Sequence, residues 1–315
     1  MISEHKVATL KPGDGFRDWL IEVLGDRIQN KRCEVIVYKI EGASHTVCRY
    51  HFKGEGYSVA AKFYAEPTGW LRHYDAVQSM EREFRTLKKI ESIIDIPRPL
   101  AIKKEFDCVL VTEYVRSKSL YDNMKADQHL YSRLTAVAHL LRRLHDQTRS
   151  EYRKEQEFAH FHKILDQLKL HPAKREMFNQ LLGNWWYKRD WDSQQGCLIH
   201  NDANPVNYVF KHEKVYAMDF ESAWEHAHPV HDLGIVAAEL KNYFEFDEQN
   251  RERSEQYIGH FIWNYSKDEE EFHWITQALP FFIALGLLRM ARLDLGKEHT
   301  DYIFKEAEAC LRAKR

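Results

Sequence analysis

The chain has 315 residues, enough for two lobes or two small domains, and its 44% hydrophobic and 13% aromatic content excludes an intrinsically disordered protein. Its formal net charge is −2 with both signs interspersed, so we expect neither nucleic acid nor an anionic membrane as a partner. Five scattered cysteines form no CxxC pair, which argues against a disulfide framework or a zinc ribbon. The N-terminus lacks a signal-peptide pattern, and the most apolar segment, residues 279–288, is shorter than a membrane span. We therefore expect a buried helix there and a cytoplasmic protein.

The first part of the chain predicts an amphipathic segment followed by strands. Residues 16–24 have an amphipathic pattern, and β-rich runs separated by turns fill residues 33–64. In the last run, residues 57–64, a period of two puts Ala60 and Lys62 on the same face. A lysine beside small residues suits a nucleotide cleft, in which Ala60 would admit an adenine ring and Lys62 would reach the phosphates. The alternative is a solvated lysine at the edge of a sheet.

Helical and apolar patterns then alternate. Apolar residues recur at helical spacing from residue 76 to residue 94, and the proline-rich stretch 96–100 ends this pattern. Residues 109–115 predict an apolar strand, and residues 134–144 predict another helix. The remaining long segments predict amphipathic helices, at residues 155–185 and 235–312. Strands first and helices afterwards predict an α+β fold.

Residues 198–221 carry the strongest chemical signal. This segment contains Asp202, Asn207 and Asp219, the last two separated by two strand-like runs and a polar turn. Phosphoryl transfer from a nucleotide needs an Asp that takes the proton of the acceptor hydroxyl, and an Asn and an Asp that hold magnesium. A hairpin at this point would fold Asp219 back beside Asn207, so that both could reach one ion. The alternative is a capped hairpin whose acids are merely solvated.

The pattern H-x-D-x-x-x-x-N, followed by D-F-x, resembles the catalytic and metal loops of the protein-kinase-like superfamily. The forms His-Asn-Asp at 200–202, Asp-Phe-Glu at 219–221 and His-Asp-Leu-Gly at 231–234 resemble the aminoglycoside phosphotransferase and choline kinase branch. The resemblance covers roughly residues 33–245. It implies a two-lobed protein-kinase-like fold, with a small β-rich N-lobe at 1–115 and a larger helical C-lobe at 116–315.

The resemblance also implies an activity and a set of roles. It implies an ATP-dependent kinase that uses Mg²⁺ and moves the γ-phosphoryl group of ATP to a hydroxyl of a small molecule. Asp202 would orient that hydroxyl as the base, and His200 would brace the loop, sharing hydrogen bonds with the loop and with Asp219. Asn207 and Asp219 would bind the metal. The residues expected to bind the nucleotide are Ser44, Ala60, Lys62, Glu83, Thr112, Glu113 and Val115.

Within this scheme, some assignments have alternatives or departures. Glu83 would pair with Lys62, although Glu81 competes for that role and both could be surface charges. Asp232 would accept backbone N–H groups of the catalytic loop. Protein kinases carry a lysine two residues after the base, where this chain has Asn204, and the loop at 42–45 is poor in glycine. Charge must therefore be neutralised by Lys62, by metal, or by a cation that the sequence does not reveal.

The acceptor is predicted from the short connection between Asp219 and Asp232. It spans thirteen residues and has no Ala-Pro-Glu ending, which favours a small soluble acceptor over a peptide. The candidate acceptor contacts are Glu221, Trp224 and Glu225. Aromatic residues could form a cage for a quaternary ammonium group, although Ser222 departs from the choline kinase pattern, and three histidines suggest a zinc site without a familiar spacing. The candidate cage residues are Trp185, Trp186, Tyr187, Trp224, Tyr243 and Phe244. The candidate zinc ligands are His226, His228 and His231.

Two other functional classes compete with a small-molecule kinase. A nucleotide-binding pseudokinase or scaffold would keep the fold without turnover, but the complete set of charged site residues argues against it. An atypical protein kinase is disfavoured by the same short connection after Asp219. The sequence gives no indication of an oligomeric state.

Overall fold

A computed structural model describes residues 4–43, 45–65, 74–188 and 195–313. The chain divides into two compact units: Met1–Asp122 with Val209–Glu221, and Asn123–Tyr208 with Ser222–Arg315. The hairpin that carries Asp219 therefore belongs to the first unit, although it follows the catalytic segment in sequence. The division into lobes at residue 115 stays a prediction.

The first unit is built on a six-stranded antiparallel sheet in the order β1-β2-β3-β4-β6-β5. Its strands are β1 (Glu4–Leu10), β2 (Val35–Ile40), β3 (Thr46–Phe52), β4 (Tyr57–Phe63), β5 (Pro99–Lys103) and β6 (Val109–Glu113). The strands predicted within residues 33–64 and 109–115 are confirmed, whereas β1 was not predicted. In β4, Val59 and Ala61 are buried in the core, so that Lys62 lies on the opposite face.

Two helices connect strands of this sheet: α1 (Gly15–Leu24) lies between β1 and β2 in the sequence, and α2 (Ala76–Ile90) lies between β4 and β5. Asp75 caps α2 by accepting a hydrogen bond from Gln78 N at 3.0 Å. Helical spacing on α2 buries Met80, Glu83 and Leu87 on one face, and this face brings a carboxylate into the interior of the unit. Helix α2 was predicted from its helical spacing and is confirmed, whereas residues 16–24 were recognised only as an amphipathic segment.

The remaining strands form two small sheets. Their orders are β11-β10-β7 and β12-β9-β8. These strands are β7 (Lys118–Ser119), β8 (Ser150–Glu151), β9 (Gln195–Ile199), β10 (Tyr208–Lys211), β11 (Lys214–Ala217) and β12 (Trp224–Ala227). The predicted hairpin after Asn207 is confirmed as β10 and β11, and the pairing of β12 with β9 fixes the chain that leads into the catalytic segment.

The second unit is mainly helical, and the predicted helices are confirmed. Helix α3 (Leu120–Ala126) begins in the first unit and ends in the second. The other helices of the second unit are α4 (Leu130–Gln147), α5 (Lys154–Gln167), α6 (Pro172–Trp186), α7 (Val230–Lys241), α8 (Arg251–Tyr265), α9 (Glu269–Met290) and α10 (Lys297–Arg312), with a π-helical segment at Asn242–Asp247. Helices α7 and α9 approach closely because Gly234 and Gly286 have no side chains at their contact.

The apolar segment predicted to be a buried helix is the C-terminal half of α9. Phe281, Phe282 and Leu285 have no exposed surface, which confirms the prediction. By length and composition α9 is also apolar enough to cross a membrane, yet 61% of its most apolar window is buried inside the described part of the chain. The core helix of a globular protein has these same properties.

Candidate active site

The first unit concentrates charge around Lys62. The Lys62 ammonium donates hydrogen bonds to Glu83 Oε2 at 2.9 Å and to Asp219 Oδ1 at 2.7 Å. It also lies 3.0 Å from Glu221 Oε2. Strand β4, helix α2 and the chain after β11 each supply one or more of these groups, so the lysine is held from several directions. The pairing of Lys62 with Glu83, rather than with Glu81, is what the resemblance implied; nucleotide binding by the pair stays a prediction.

Burial and charge act against each other in this cluster. Burial lowers the pKa of Lys62, but the negative charges of Glu83 and Asp219 outweigh it and hold that pKa well above its ordinary value. Burial raises the pKa of Glu83, against the opposing effect of Lys62. The hydroxyl of Tyr64 also donates to Glu83. Lys62 is therefore a permanent cation whose direction is fixed by its partners.

Glu221, a predicted acceptor contact, belongs to the charged group around Lys62. Its carboxylate lies 2.7 Å from Nε2 of His45, whose side chain is 1% exposed. Although burial raises the pKa of Glu221, the hydrogen bond from His45 and the charge of Lys62 lower it to about 2. Glu221 is thus an ionised member of the Lys62 cluster. Its part in acceptor binding stays a prediction.

Three carboxylates of this unit also form a metal-competent group. Oxygen atoms of Glu83, Asp219 and Glu221 all lie within 4.8 Å of one another. Hard oxygen ligands of this kind suit Mg²⁺, and three acidic groups around one ammonium leave an excess of negative charge. The residues present therefore fit a divalent cation. Asn207, the other predicted metal ligand, lies in the second unit, and its part in a shared site stays a prediction.

The predicted adenine contacts lie on neighbouring strands. Ala60 of β4 pairs with Thr112 of β6, and both are half-buried. The backbone N–H of Glu113 donates to the carbonyl of Arg98 at 3.0 Å, and the carbonyl of Val115 accepts from Ser117 Oγ at 3.1 Å. These bonds order the backbone that the resemblance assigns to the adenine edge. Ser44 lies outside the described residues.

The loop at residues 200–207 of the second unit, the predicted catalytic loop, is anchored by Asp232. This carboxylate accepts hydrogen bonds from His200 N at 2.8 Å and Asn201 N at 2.9 Å, and it lies 3.1 Å from His145 Nε2. Burial raises the pKa of Asp232, but the hydrogen bond and the charge of His145 outweigh burial and lower it. Asp232 was predicted to accept backbone N–H groups of this loop, and that prediction is confirmed. His200 is fully buried, and its Nδ1 accepts from Asp202 N at 3.3 Å, whereas its expected hydrogen bond with Asp219 stays a prediction.

Asp202, the predicted base, is held by two side chains. Its Oδ2 accepts from Asn207 Nδ2 at 3.0 Å, and its Oδ1 accepts from Arg289 Nη2 at 2.6 Å. Arg289 Nη1 donates to the carbonyl of Asn201, a residue in the left-handed region with a φ of 62°. The Asp202 side chain keeps 32% of its surface exposed, so another hydrogen-bond donor has access to it.

Sequence reasoning missed three titratable residues in or near these clusters: His45, Glu239 and Arg289. His45 follows a turn and gave no signal beyond its place in the loop. Arg289 ends the most apolar segment of the chain, and a single cation in the last turn of a buried helix is a weak signal at most. Burial raises the pKa of Glu239 on α7 to about 7, with a smaller opposing effect from Arg289.

The remaining predicted acceptor contacts lie on β12. Trp224 is half-buried and packs against His160, with ring centroids 4.9 Å apart, whereas Glu225 is exposed. Trp185 and Phe244, two members of the suggested cage, are buried core residues. The histidines suggested for zinc have partners in the protein: His226 with the Glu151 carbonyl, His231 with Glu157, and His228 with Val230 N. Packing thus accounts for Trp185 and Phe244, and hydrogen bonds account for the three histidines.

The fold and the two clusters define a protein-kinase-like protein of mixed α+β architecture. Solved structures with this fold include the choline kinase of Cryptosporidium parvum Iowa II, with 13% identity, a TM-score of 0.59, and coverage of 94% of each chain. The ethanolamine kinase of Plasmodium vivax has 13% identity, a TM-score of 0.56, and coverage of 88% of this chain and 81% of that chain. Amicoumacin kinase hAmiN in complex with AMP-PNP, Ca²⁺ and Ami has 17% identity, a TM-score of 0.58, and coverage of 87% and 88%. At these identities the likeness shows the fold alone.

A sequence model identifies the family. The model of the phosphotransferase enzyme family matches residues 49–270, which include Lys62, Asp202 and Asp219. The chain belongs to this family. A search of curated protein sequences found no match.

Proposed function

We propose that the protein transfers the γ-phosphoryl group of ATP to a hydroxyl group of a small soluble molecule. The observation that carries this proposal is the Lys62 ammonium, fixed 2.9 Å from Glu83 and 2.7 Å from Asp219. A lysine that is permanently charged and directed by a buried glutamate is suited to nucleotide phosphates. Asp219 and Asn207 would hold Mg²⁺, which neutralises charge on the phosphate oxygens when it is bound.

The chemical step assigned to the second unit is proton transfer at Asp202. The acceptor oxygen bonds to the γ-phosphorus, the bond from phosphorus to the β–γ bridging oxygen breaks with its electron pair leaving on ADP, and the hydroxyl proton passes to Asp202. Because the transition state is loose, orientation of the hydroxyl is the main task of this base. Asp202 is suited to it, since both of its oxygens are hydrogen-bonded and its side chain is still one-third exposed.

A small acceptor is favoured by the short connection from Asp219 to Asp232. Thirteen residues, four of them in β12, offer little surface for an extended peptide. The relatives of known structure include proteins named as choline and ethanolamine kinases, and one was solved with AMP-PNP. We propose a polyol, an amino alcohol or a sugar-like hydroxyl as the acceptor, with Trp224 and Glu225 as contacts.

One assay tests this function against its competitors. ATP labelled at the γ-phosphate is supplied with either a protein-free metabolite extract or a lysate protein fraction depleted of metabolites. Label is expected in small molecules only. Label in protein alone would overturn the small-molecule acceptor, and ATP binding without label in either fraction would favour a pseudokinase.

The matched variants are Asp202→Ala and Asp301→Ala. Asp202→Ala is expected to lower turnover at least 100-fold, the range for a positioned acid–base group, while ATP binding is retained. Asp301 is an exposed aspartate on α10, and its replacement is expected to leave turnover and ATP binding unchanged. Turnover of Asp202→Ala within about tenfold of wild type would exclude Asp202 as the base.

A further inference from the structure

Arg289 makes two contacts with the catalytic loop from a distant part of the sequence. Its Nη2 donates to Asp202 Oδ1 at 2.6 Å, and its Nη1 donates to the backbone carbonyl of Asn201. The arginine lies in the last turn of α9, eighty-seven residues after Asp202. One side chain therefore fixes both the backbone of the loop and the carboxylate that the loop presents.

Packing limits the freedom of this arginine. Its side chain is 16% exposed, and the turns of α9 that precede it are buried in the second unit. A guanidinium offers five donors in a rigid planar arrangement, so two bonds to one loop define its orientation well. A lysine at this position would supply charge without the same geometry.

The carboxylate of Asp202 is oriented by donors on both oxygens. Asn207 Nδ2 bonds to Oδ2 at 3.0 Å and also to the Asp202 carbonyl at 2.9 Å, and Arg289 bonds to Oδ1. Each carboxylate oxygen has two acceptor positions. One position on each oxygen is thus available to an acceptor hydroxyl, in a direction that Arg289 and Asn207 fix together.

Arg289 also brings positive charge to a loop that supplies none close to its base. Asn204, two residues after Asp202, is neutral, and its Oδ1 accepts from Val206 N at 3.2 Å. The titratable neighbours are Glu239 on α7 and Arg292 after α9, which both interact electrostatically with Arg289 and with Asp202, although within the described part of the chain neither forms a hydrogen bond to Asp202. Arg292 is exposed and bonds to Gln167 at 2.7 Å. The cation in contact with Asp202 is therefore Arg289.

We propose that Arg289 is a positioning residue for phosphoryl transfer, which holds Asp202 in the orientation that meets the acceptor hydroxyl and supplies positive charge beside it. This inference rests on the proposed function, since it assumes that Asp202 acts as the base. It assigns a role to the C-terminal helices, whose sequence gave no motif. Arg289 acts through Asp202, so its loss should lower turnover without weakening ATP binding.

The test compares Arg289→Gln, Arg289→Lys and Arg289→Ala, with ATP and a fixed protein-free metabolite extract as substrates. Arg289→Gln is expected to lower kcat at least tenfold, while KM for ATP stays within about twofold of wild type. Arg289→Lys should recover part of kcat because it restores the charge. Guanidinium ion at low millimolar concentration should raise the kcat of Arg289→Ala, an effect that a merely structural role would not produce.

Arg292→Gln is the matched control, because it removes an equal charge three residues further along without a contact to Asp202. It is expected to behave as wild type. Turnover of Arg289→Gln equal to that of Arg292→Gln overturns the inference and leaves the proposed function intact. Equal loss in Arg289→Lys and Arg289→Gln, with no guanidinium rescue, also overturns it. If Arg289→Gln fails to melt cooperatively, the inference is tested instead by the kcat of Arg289→Lys and by the guanidinium rescue of Arg289→Ala. A wild-type protein that binds ATP but transfers nothing overturns the proposed function, and this inference with it.

Discussion

At the scale of single residues, the Lys62 cluster holds more negative than positive charge. Glu83, Asp219 and Glu221 surround one ammonium, and His45 adds a partner for Glu221 alone. Removing three carboxylates from water is costly unless each is paired. The cluster is therefore suited to a further cation, and Asp219 is the partly exposed carboxylate through which one would bind.

Asp219→Asn is expected to weaken magnesium-dependent ATP binding, because an amide is a weaker ligand than a carboxylate for a hard cation. ATP is titrated by calorimetry in the presence of magnesium and in the presence of a chelator. The wild type should bind ATP more tightly with magnesium, and the variant should lose most of this difference. Asp26→Asn, at an exposed site of the same unit, serves as the control. A magnesium effect that is equal in Asp219→Asn and the wild type would remove Asp219 from the metal site.

Glu239 is the residue for which the structure predicts a dependence of stability on pH. Burial raises the pKa of its carboxyl group from 4.5 to about 7. Between these values the folded protein holds a proton that the unfolded chain releases. The contribution of Glu239 to stability is thus complete below pH 4.5 and is lost as the pH rises through about 7.

Glu239→Gln should remove this dependence, because glutamine stays neutral at every pH. Relative to wild type, the variant is expected to gain on the order of 2 kcal/mol of unfolding free energy on going from pH 5 to pH 8.5. Urea unfolding at the two pH values measures the difference. Equal pH dependence in the variant and the wild type would show that Glu239 is ionised in the folded protein at neutral pH.

At the scale of elements, the contact of α7 with α9 depends on two glycines. A Cβ atom on Gly234 would lie 2.6 Å from the carbonyl carbon of Phe282, and one on Gly286 would lie 2.6 Å from Ala238 Cβ. Both distances are too short for real atoms, so the helices would have to move apart. That movement would displace two residues that hold the loop at residues 200–207, because α7 carries Asp232 and α9 carries Arg289.

Gly234→Ala is expected to destabilise the protein by about 1–3 kcal/mol, as overpacking of a rigid core does. Gly259→Ala on α8 is the matched control, since a Cβ there meets no atom within 4 Å. The control should be neutral or stabilising by up to about 1 kcal/mol, because alanine favours a helix more than glycine. Thermal midpoints measure both effects. A Gly234→Ala midpoint at or above that of Gly259→Ala would contradict the close helix contact.

Elements with a strong periodic pattern could be predicted from the sequence. Strand β4 and helix α2 have clear periods of two and 3.6, and their faces place Lys62 and Glu83 as the alternation requires. The β10–β11 hairpin followed from its polar turn, and the role of Asp232 followed from its resemblance to a motif. Short strands such as β8 and β12 were not predicted, because two to four residues carry no period and depend on their partners.

Contacts between residues far apart in sequence could not be predicted. Arg289 reaches Asp202 because α9 packs against α7, and the sequence does not specify that packing. Nor did the sequence indicate that the carboxylate of Glu221 is positioned by His45 and Lys62. In both cases a partner more than eighty residues away decides the role of the side chain.

At the scale of the whole molecule, β1 has a consequence for assembly. Six of its seven residues pair with β2 along the edge of the six-stranded sheet, with a register shift between Lys6 and Ala8. The charged residues and the irregularity make β1 a poor template for another strand. Without it, β2 would present unpaired backbone groups beside Val35 and Val37. A chain that starts at residue 11 is therefore expected to self-associate through this edge, giving larger species in light scattering as its concentration rises, whereas a wild type that does the same would contradict a protective role of β1.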